Sequence, residues 1–123
     1  MTGPLTETFT NHAWTQAGPV RLSVLIPFYK DDPRGLLERL SDQASPDVEL
    51  IAFDDGRPDA GLNDQIHETV RALSTPCALL TSRVNRGRSA ARNRLAAAAR
   101  GDWLLFLDAD MGPGPDFLVK WRL

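Results

Sequence analysis

The sequence holds a single cysteine, Cys77, so no disulfide can close within the chain, and no paired Cys and His spacing offers a structural zinc site. A reducing compartment is expected. Long apolar runs are missing too: the longest stretch of large apolar residues, in WLLFL, is far too short to cross a bilayer, and the opening MTGPLTETFT has neither the basic start nor the apolar stretch of a secretory signal. The expected setting is therefore cytoplasmic, with no transmembrane segment. Excess charge is also lacking. Fourteen Lys and Arg against sixteen Asp and Glu leave a net charge of −2, which argues against nucleic acid as a bulk polyanionic partner. Neither a dinucleotide fingerprint nor a Gly-Lys-Ser/Thr phosphate loop is present, so redox and nucleoside triphosphatase readings have no support.

What is present describes one globular domain. With 42% hydrophobic and 24% charged residues in 123, the chain is too apolar for disorder and long enough to bury a core without staples. Residues 1–20, rich in Thr, Gly and Pro and without apolar periodicity, are expected to be a loose arm, leaving residues 21–123 as the domain. From there apolar runs alternate with helical spacing. LSVLIP (Leu22 to Pro27), VELIAF (Val48 to Phe53), CALLT (Cys77 to Thr81) and DWLLFL predict four strands. Between them, Asp32 and Pro33 open a helix reaching about Ala44, Ile66, Val70 and Leu73 mark a second, and RSAARNRLAAAAR with Gly101 as its stop a third. Strict alternation with short loops predicts a parallel α/β sheet with helices on both faces. In such a sheet ligands bind beyond the carboxyl ends of the strands, which selects the loops Phe28 to Asp32, Asp54 to Ala60, Ser82 to Gly87 and Asp108 to Pro115.

Those loops carry the chemistry. Asp108 and Asp110 follow an apolar strand and precede Gly112, Pro113, Gly114 and Pro115; oxygen-only ligands so placed suit Mg²⁺ or Mn²⁺, which complete their shells with phosphate oxygens and water. Twelve Asp in this length give about one Asp-x-Asp by chance, so it is the strand end and not the spacing that singles the pair out from a capped turn. Asp54 and Asp55 end the second strand beside Gly56, where a ligand with N–H or O–H donors would satisfy them, as would water in an ordinary turn. Tyr29, the one tyrosine, can stack on a base or form part of the rim. Five of twelve arginines crowd between Arg83 and Arg94. Arg88 and Arg92, four apart, share a helical face at the end where the macrodipole favours a diphosphate, and Asn85 and Gly87 before them leave room for backbone approach; a solvated helix face is the alternative.

Taken in order, SVLIPFYKDDP, FDDGRPDAG and NRGRSAARNRLAAAARGDWLLFLDADMGPGPDFL resemble the successive signatures of the family-2 glycosyltransferases, over about residues 21 to 119. The resemblance implies the Rossmann-like GT-A fold, here its donor-binding half with about four parallel strands alternating with helices. It implies a nucleotide-sugar donor, UDP-sugars foremost, bound through Mn²⁺ or Mg²⁺ for inverting transfer to a saccharide or lipid acceptor. Pro27 and Tyr29 would line the base pocket, Asp55 with Asp54 beside it would contact the base, Asp108 would lie near the ribose and metal, and Asp110 would be the principal metal ligand. Arg88 and Arg92 would face the diphosphate. Two positions depart from the family pattern: Lys30 stands where Asn is usual, and Arg57 where a small hydroxyl residue is usual. Thirteen residues follow Asp110, whereas the family places its acceptor site and catalytic base beyond this point, so a partner chain, self-association or further sequence would have to supply that half. A haloacid-dehalogenase-like phosphohydrolase also opens with strand and Asp-x-Asp but needs a long remainder with a Lys and further acids. A non-catalytic nucleotide-binding or interaction domain is the other reading.

Overall fold

The computed structural model describes residues 6–56 and 60–121. Five strands form one sheet: β1 (Thr6–Thr10), β2 (Leu22–Phe28), β3 (Val48–Asp55), β4 (Cys77–Ser82) and β5 (Trp103–Phe106), in the order β1-β4-β3-β2-β5. The four strands expected from the apolar runs are mutually parallel, with Leu22 opposite Val48 and Trp103, and Leu50 opposite Cys77. Four α-helices are woven between them: α1 (His12–Gln16), α2 (Arg34–Gln43), α3 (Ala60–Ala72) and α4 (Arg88–Ala98). A 3-10 turn at Leu118–Trp121 follows β5.

The pleat sorts the core into two layers, because successive strand residues face opposite sides of the sheet. Val24, Ile26, Leu50, Ala52 and Leu79 pack on Leu36, Leu37 and Leu40 of α2 and Ile66 and Val70 of α3. On the other face Leu25, Ile51, Phe53 and Leu80 pack on Ala91 and Leu95 of α4, with Trp14 of α1 at the edge. Each fully buried Leu or Ile of these layers contributes about 1.5 to 3 kcal/mol relative to exposure. From β2 the chain steps outward through β3 to β4, then returns along α4 to place β5 on the far side of β2. That reversal opens a crevice between the carboxyl ends of β2 and β5.

One expectation is overturned. The residues 6–17, expected within a loose arm, are ordered: β1 pairs antiparallel with β4, Thr6 opposite Ser82 and Thr10 opposite Ala78. The reason is tertiary, since β4 would otherwise end the sheet with its backbone edge open. Phe9 packs beside His67, ring centroids 5.3 Å apart, and Asn11 fastens the segment. Its buried Nδ2 donates to the carbonyls of Val70, Leu73 and Thr75 at 2.9–3.2 Å, and its Oδ1 accepts the amides of Trp14 and Cys77 at 3.0 Å. Two helix ends also differ slightly. Pro33, not Asp32, stands at the α2 boundary, although Asp32 Oδ1 still accepts the Arg34 amide at 3.0 Å. The α4 helix stops at Ala98 through an extended Ala99, before Gly101 is reached.

Candidate functional site

At the reversal of strand order lies an open cavity of about 460 Å³. The loop after β2 gives it Pro27, Phe28 and Tyr29, followed by Lys30 and Asp31; the end of β3 gives Asp55; the segment leading into α4 gives Asn85, Gly87 and Arg88, with Ala91 one turn on; and the segment after β5 gives Asp108, Ala109 and Asp110. Six of the eight residues chosen from the sequence, Pro27, Tyr29, Asp55, Arg88, Asp108 and Asp110, thus face one space. Asp54 and Arg92 do not line it.

The exceptions have physical causes. Adjacent residues on a strand point their side chains to opposite sides, so those of Asp54 and Asp55 diverge. Asp55 continues the row Ile51, Phe53 on the α4 face, whereas Asp54 is buried on the α2 and α3 side, level with Phe28. Arg92, one turn further along α4 than Arg88, lays its guanidinium over the Phe106 ring, 4.2 Å from the centroid. The sequence reading also passed over Asp31, which reaches the cavity because the chain past Pro27 continues along its rim. Arg57 lies outside the described residues.

Asp108 and Asp110 are exposed on either side of buried Ala109, and neither is ion-paired among the described residues. Like charges two residues apart on one rim repel one another, and a cation held by both would offset that repulsion. No set of three or more His, Cys, Asp or Glu that could hold a metal occurs among the described residues. Two carboxylates alone fit magnesium or manganese, which keep positions for phosphate oxygens and water, and do not fit zinc or a closed calcium cage.

Asp55 is different. It is buried, its Oδ1 accepts the Arg86 amide at 2.8 Å and its Oδ2 the Gly87 amide at 3.1 Å, tying the β3 end to the chain entering α4. Gly56 makes the approach feasible: its φ is +83°, and a Cβ there would run into the backbone of Val84 and Asn85. Beyond Asp110 the chain is strapped to α2. Arg39 donates to the Met111 carbonyl at 3.1 Å, while Gln43 donates to the Gly114 carbonyl at 3.0 Å and accepts the Leu118 amide at 2.7 Å.

Comparison with known proteins places this arrangement. The sequence model of Glycosyl transferase family 2 matches residues 23–120. An uncharacterized glycosyltransferase of Haemophilus influenzae is 35% identical over 91 residues, covering 72% of this chain and 29% of its own length. The uncharacterized glycosyltransferase YibD of Escherichia coli is 37% identical over 92 residues, covering 73% of this chain and 26% of its own length. Among solved structures, S. aureus TarS 1–349 superposes with a TM-score of 0.70 at 27% identity, over 83% of this chain and 31% of that one. The mannosyltransferase PcManGT of Pyrobaculum calidifontis, solved with GDP-Man and Mn²⁺, superposes with a TM-score of 0.62 at 22% identity, over 85% of this chain and 34% of that one, a likeness of fold alone. The chain thus spans less than a third of the two curated relatives.

Proposed function

The chain belongs to glycosyltransferase family 2 and has the GT-A, Rossmann-like α/β fold, and from that premise we propose that its cavity binds the nucleoside diphosphate of a sugar donor with a divalent cation, for inverting transfer of the sugar. The observation that carries the reading is the convergence of six sequence-selected residues, from four separate segments, on one cavity at the strand-order reversal. A UDP-sugar is the favoured donor. The GDP-Man held by the Pyrobaculum enzyme makes a GDP-sugar the alternative.

In this reading Pro27 and Tyr29 form one wall for the base, the ring of Tyr29 supplying a stacking face. Asp108 and Asp110 hold Mn²⁺ or Mg²⁺, which when bound supplies charge neutralisation to the diphosphate. Arg88, at the first position of α4, meets phosphate oxygens with a guanidinium and a favourable helix end. As the bond from the sugar to the diphosphate breaks, negative charge grows on the departing oxygens, and Arg88 and Lys30 are placed on the rim to offset it. The acceptor in this reading is a saccharide or lipid. Asp116, the one described carboxylate after Asp110, sits in a turn before the 3-10 segment and does not line the cavity. Cytoplasmic action is part of the proposal; the structural fact beneath it is that no helix among the described residues is long and apolar enough to cross a membrane.

Calorimetry of residues 1–123 with UDP and MnCl₂ tests the reading. Heat of binding that vanishes on chelation is the expected result. Equal binding with the metal removed, or none with any nucleoside diphosphate, would overturn it.

A further inference from the structure

Asp108 and Asp110 are borne by one short turn. The Met111 amide donates to the Asp108 carbonyl at 3.1 Å, which puts Ala109 and Asp110 at its centre. On the near side the turn has a footing, because Leu107 and Ala109 are buried in the core layer of α2 and α3. On the far side the chain runs Met111-Gly112-Pro113-Gly114-Pro115, mostly exposed, and is buried again at Leu118, in that same layer. Two prolines deny this stretch the N–H groups a backbone ladder needs. A Cβ on Gly112 would meet nothing within 4 Å, and a gap of about 260 Å³ lies between Pro113, Pro115 and the end of α2. Packing alone therefore does little to hold the far side of the turn.

Two side chains of α2 do hold it. Arg39 and Gln43 are four apart, hence on one helical face. Arg39 Nη2 donates to the Met111 carbonyl at 3.1 Å, before Gly112, and Gln43 Nε2 donates to the Gly114 carbonyl at 3.0 Å, after it. The residue at which the backbone turns most freely is thus bracketed. Gln43 Nε2 also donates to the Arg39 carbonyl at 3.3 Å, and its Oε1 accepts the Leu118 amide at 2.7 Å. Turned round, that amide would set its oxygen against two carbonyls, so its orientation follows from its partners. Neither residue lines the donor cavity.

We propose that Arg39 and Gln43 are positioning residues of the metal subsite: by holding the Met111 and Gly114 carbonyls to α2 they fix the far side of the turn, and with it the Asp110 carboxylate. The inference rests on the donor reading above and deepens it. Its sign separates it from a charge effect. Removing the Arg39 cation favours a bound metal ion by Coulomb's law alone, whereas loosening the turn weakens the site.

The test follows manganese binding in the presence of inorganic pyrophosphate by electron paramagnetic resonance, with metal-free hydrogen exchange at the Met111 and Leu118 amides. The proteins compared are the wild type, Arg39→Lys, the double variant Arg39→Met with Gln43→Leu, and Gln43→Glu. The double variant should exchange faster at Met111, bind manganese about tenfold more weakly, as for loss of groups that orient a metal ligand, and alter the zero-field splitting of the manganese that still binds. Arg39→Lys keeps a donor for the Met111 carbonyl and should stay near wild type. Gln43→Glu keeps the acceptor for Leu118 and loses the donor for Gly114; it should weaken manganese binding in spite of its added negative charge, and it serves if the double variant does not fold. A merely structural role would lower the melting temperature and leave the affinity and spectrum of the folded fraction as in the wild type. That result, tighter manganese binding, or unchanged exchange at Met111 would each overturn the proposal. If the wild type binds no manganese with pyrophosphate, UDP or GDP, the donor reading fails and this proposal with it; if the wild type binds and the variants bind equally, this proposal alone fails.

Discussion

The two ends of the sheet treat charge in opposite ways. At the amino ends, Glu49 is wholly buried and fully used: its oxygens take the Ser23 hydroxyl at 2.7 Å, the Arg100 amide at 2.8 Å and the Arg100 guanidinium at 2.7 Å, and Arg100 in turn lies 3.6 Å over the Trp14 ring. At the carboxyl ends, Asp108 and Asp110 stand exposed beside a cavity with no ion pair among the described residues. A carboxylate taken out of water must be answered by donors, so the first end holds the fold together. Carboxylates left on a rim contribute little to the fold and are available to a ligand. Asp55 stands between the two cases, buried and bonded like Glu49 but at the cavity.

The contrast can be broken by substitution, and the largest effect is expected at the open end. On the proposed reading Asp110→Ala removes a metal ligand and not merely a supporting group, and should weaken metal-dependent UDP binding by at least about 100-fold, while the melting temperature stays level or rises; a large fall in stability with binding intact would reverse the assignment. At the closed end, Glu49→Ala should cost about 2 to 3 kcal/mol in urea unfolding, below the full figure for a buried pair because Arg100 keeps 36% of its side-chain surface in solvent, and nucleotide affinity of the folded fraction should not change. Within the cavity, Tyr29→Ala should reduce UDP affinity by about 1 to 2 kcal/mol through loss of stacking and leave pyrophosphate affinity untouched, a division that competition calorimetry reads directly. The smallest effect is expected at Arg92. Its guanidinium rests on Phe106 outside the cavity, so Arg92→Ala should cost about 0.5 to 1 kcal/mol of stability and nothing in binding, whereas a tenfold loss of UDP affinity would return Arg92 to the diphosphate site.

Much of this was written into the chain locally. Four apolar runs bounded by Gly, Pro and Asp specify β2 to β5; β2, β3 and β4 are apolar almost throughout because they are covered on both faces, whereas β5 lies at the sheet edge with Trp103 and Leu104 exposed, and the alternation with helical spacing specifies a parallel sheet whose ligand site lies at the carboxyl ends. That rule alone puts Tyr29, Asp55, Arg88, Asp108 and Asp110 on the same side of the sheet, where the cavity lies. Other features depend on what a segment meets. The Thr-rich residues 6–10 carry little apolar pattern and become a strand because β4 offers an open edge and Asn11 finds five backbone groups to bind. Asp54 and Asp55 look alike in sequence, but the pleat sends one toward the α2 and α3 layer and the other to the cavity. Arg88 and Arg92 share a helical face, and one turn along α4 separates a residue on the rim from one lying on Phe106. Spacing along a chain fixes which way a side chain points from its own element; what lies in that direction depends on strand order and helix placement, which only the packed sheet decides.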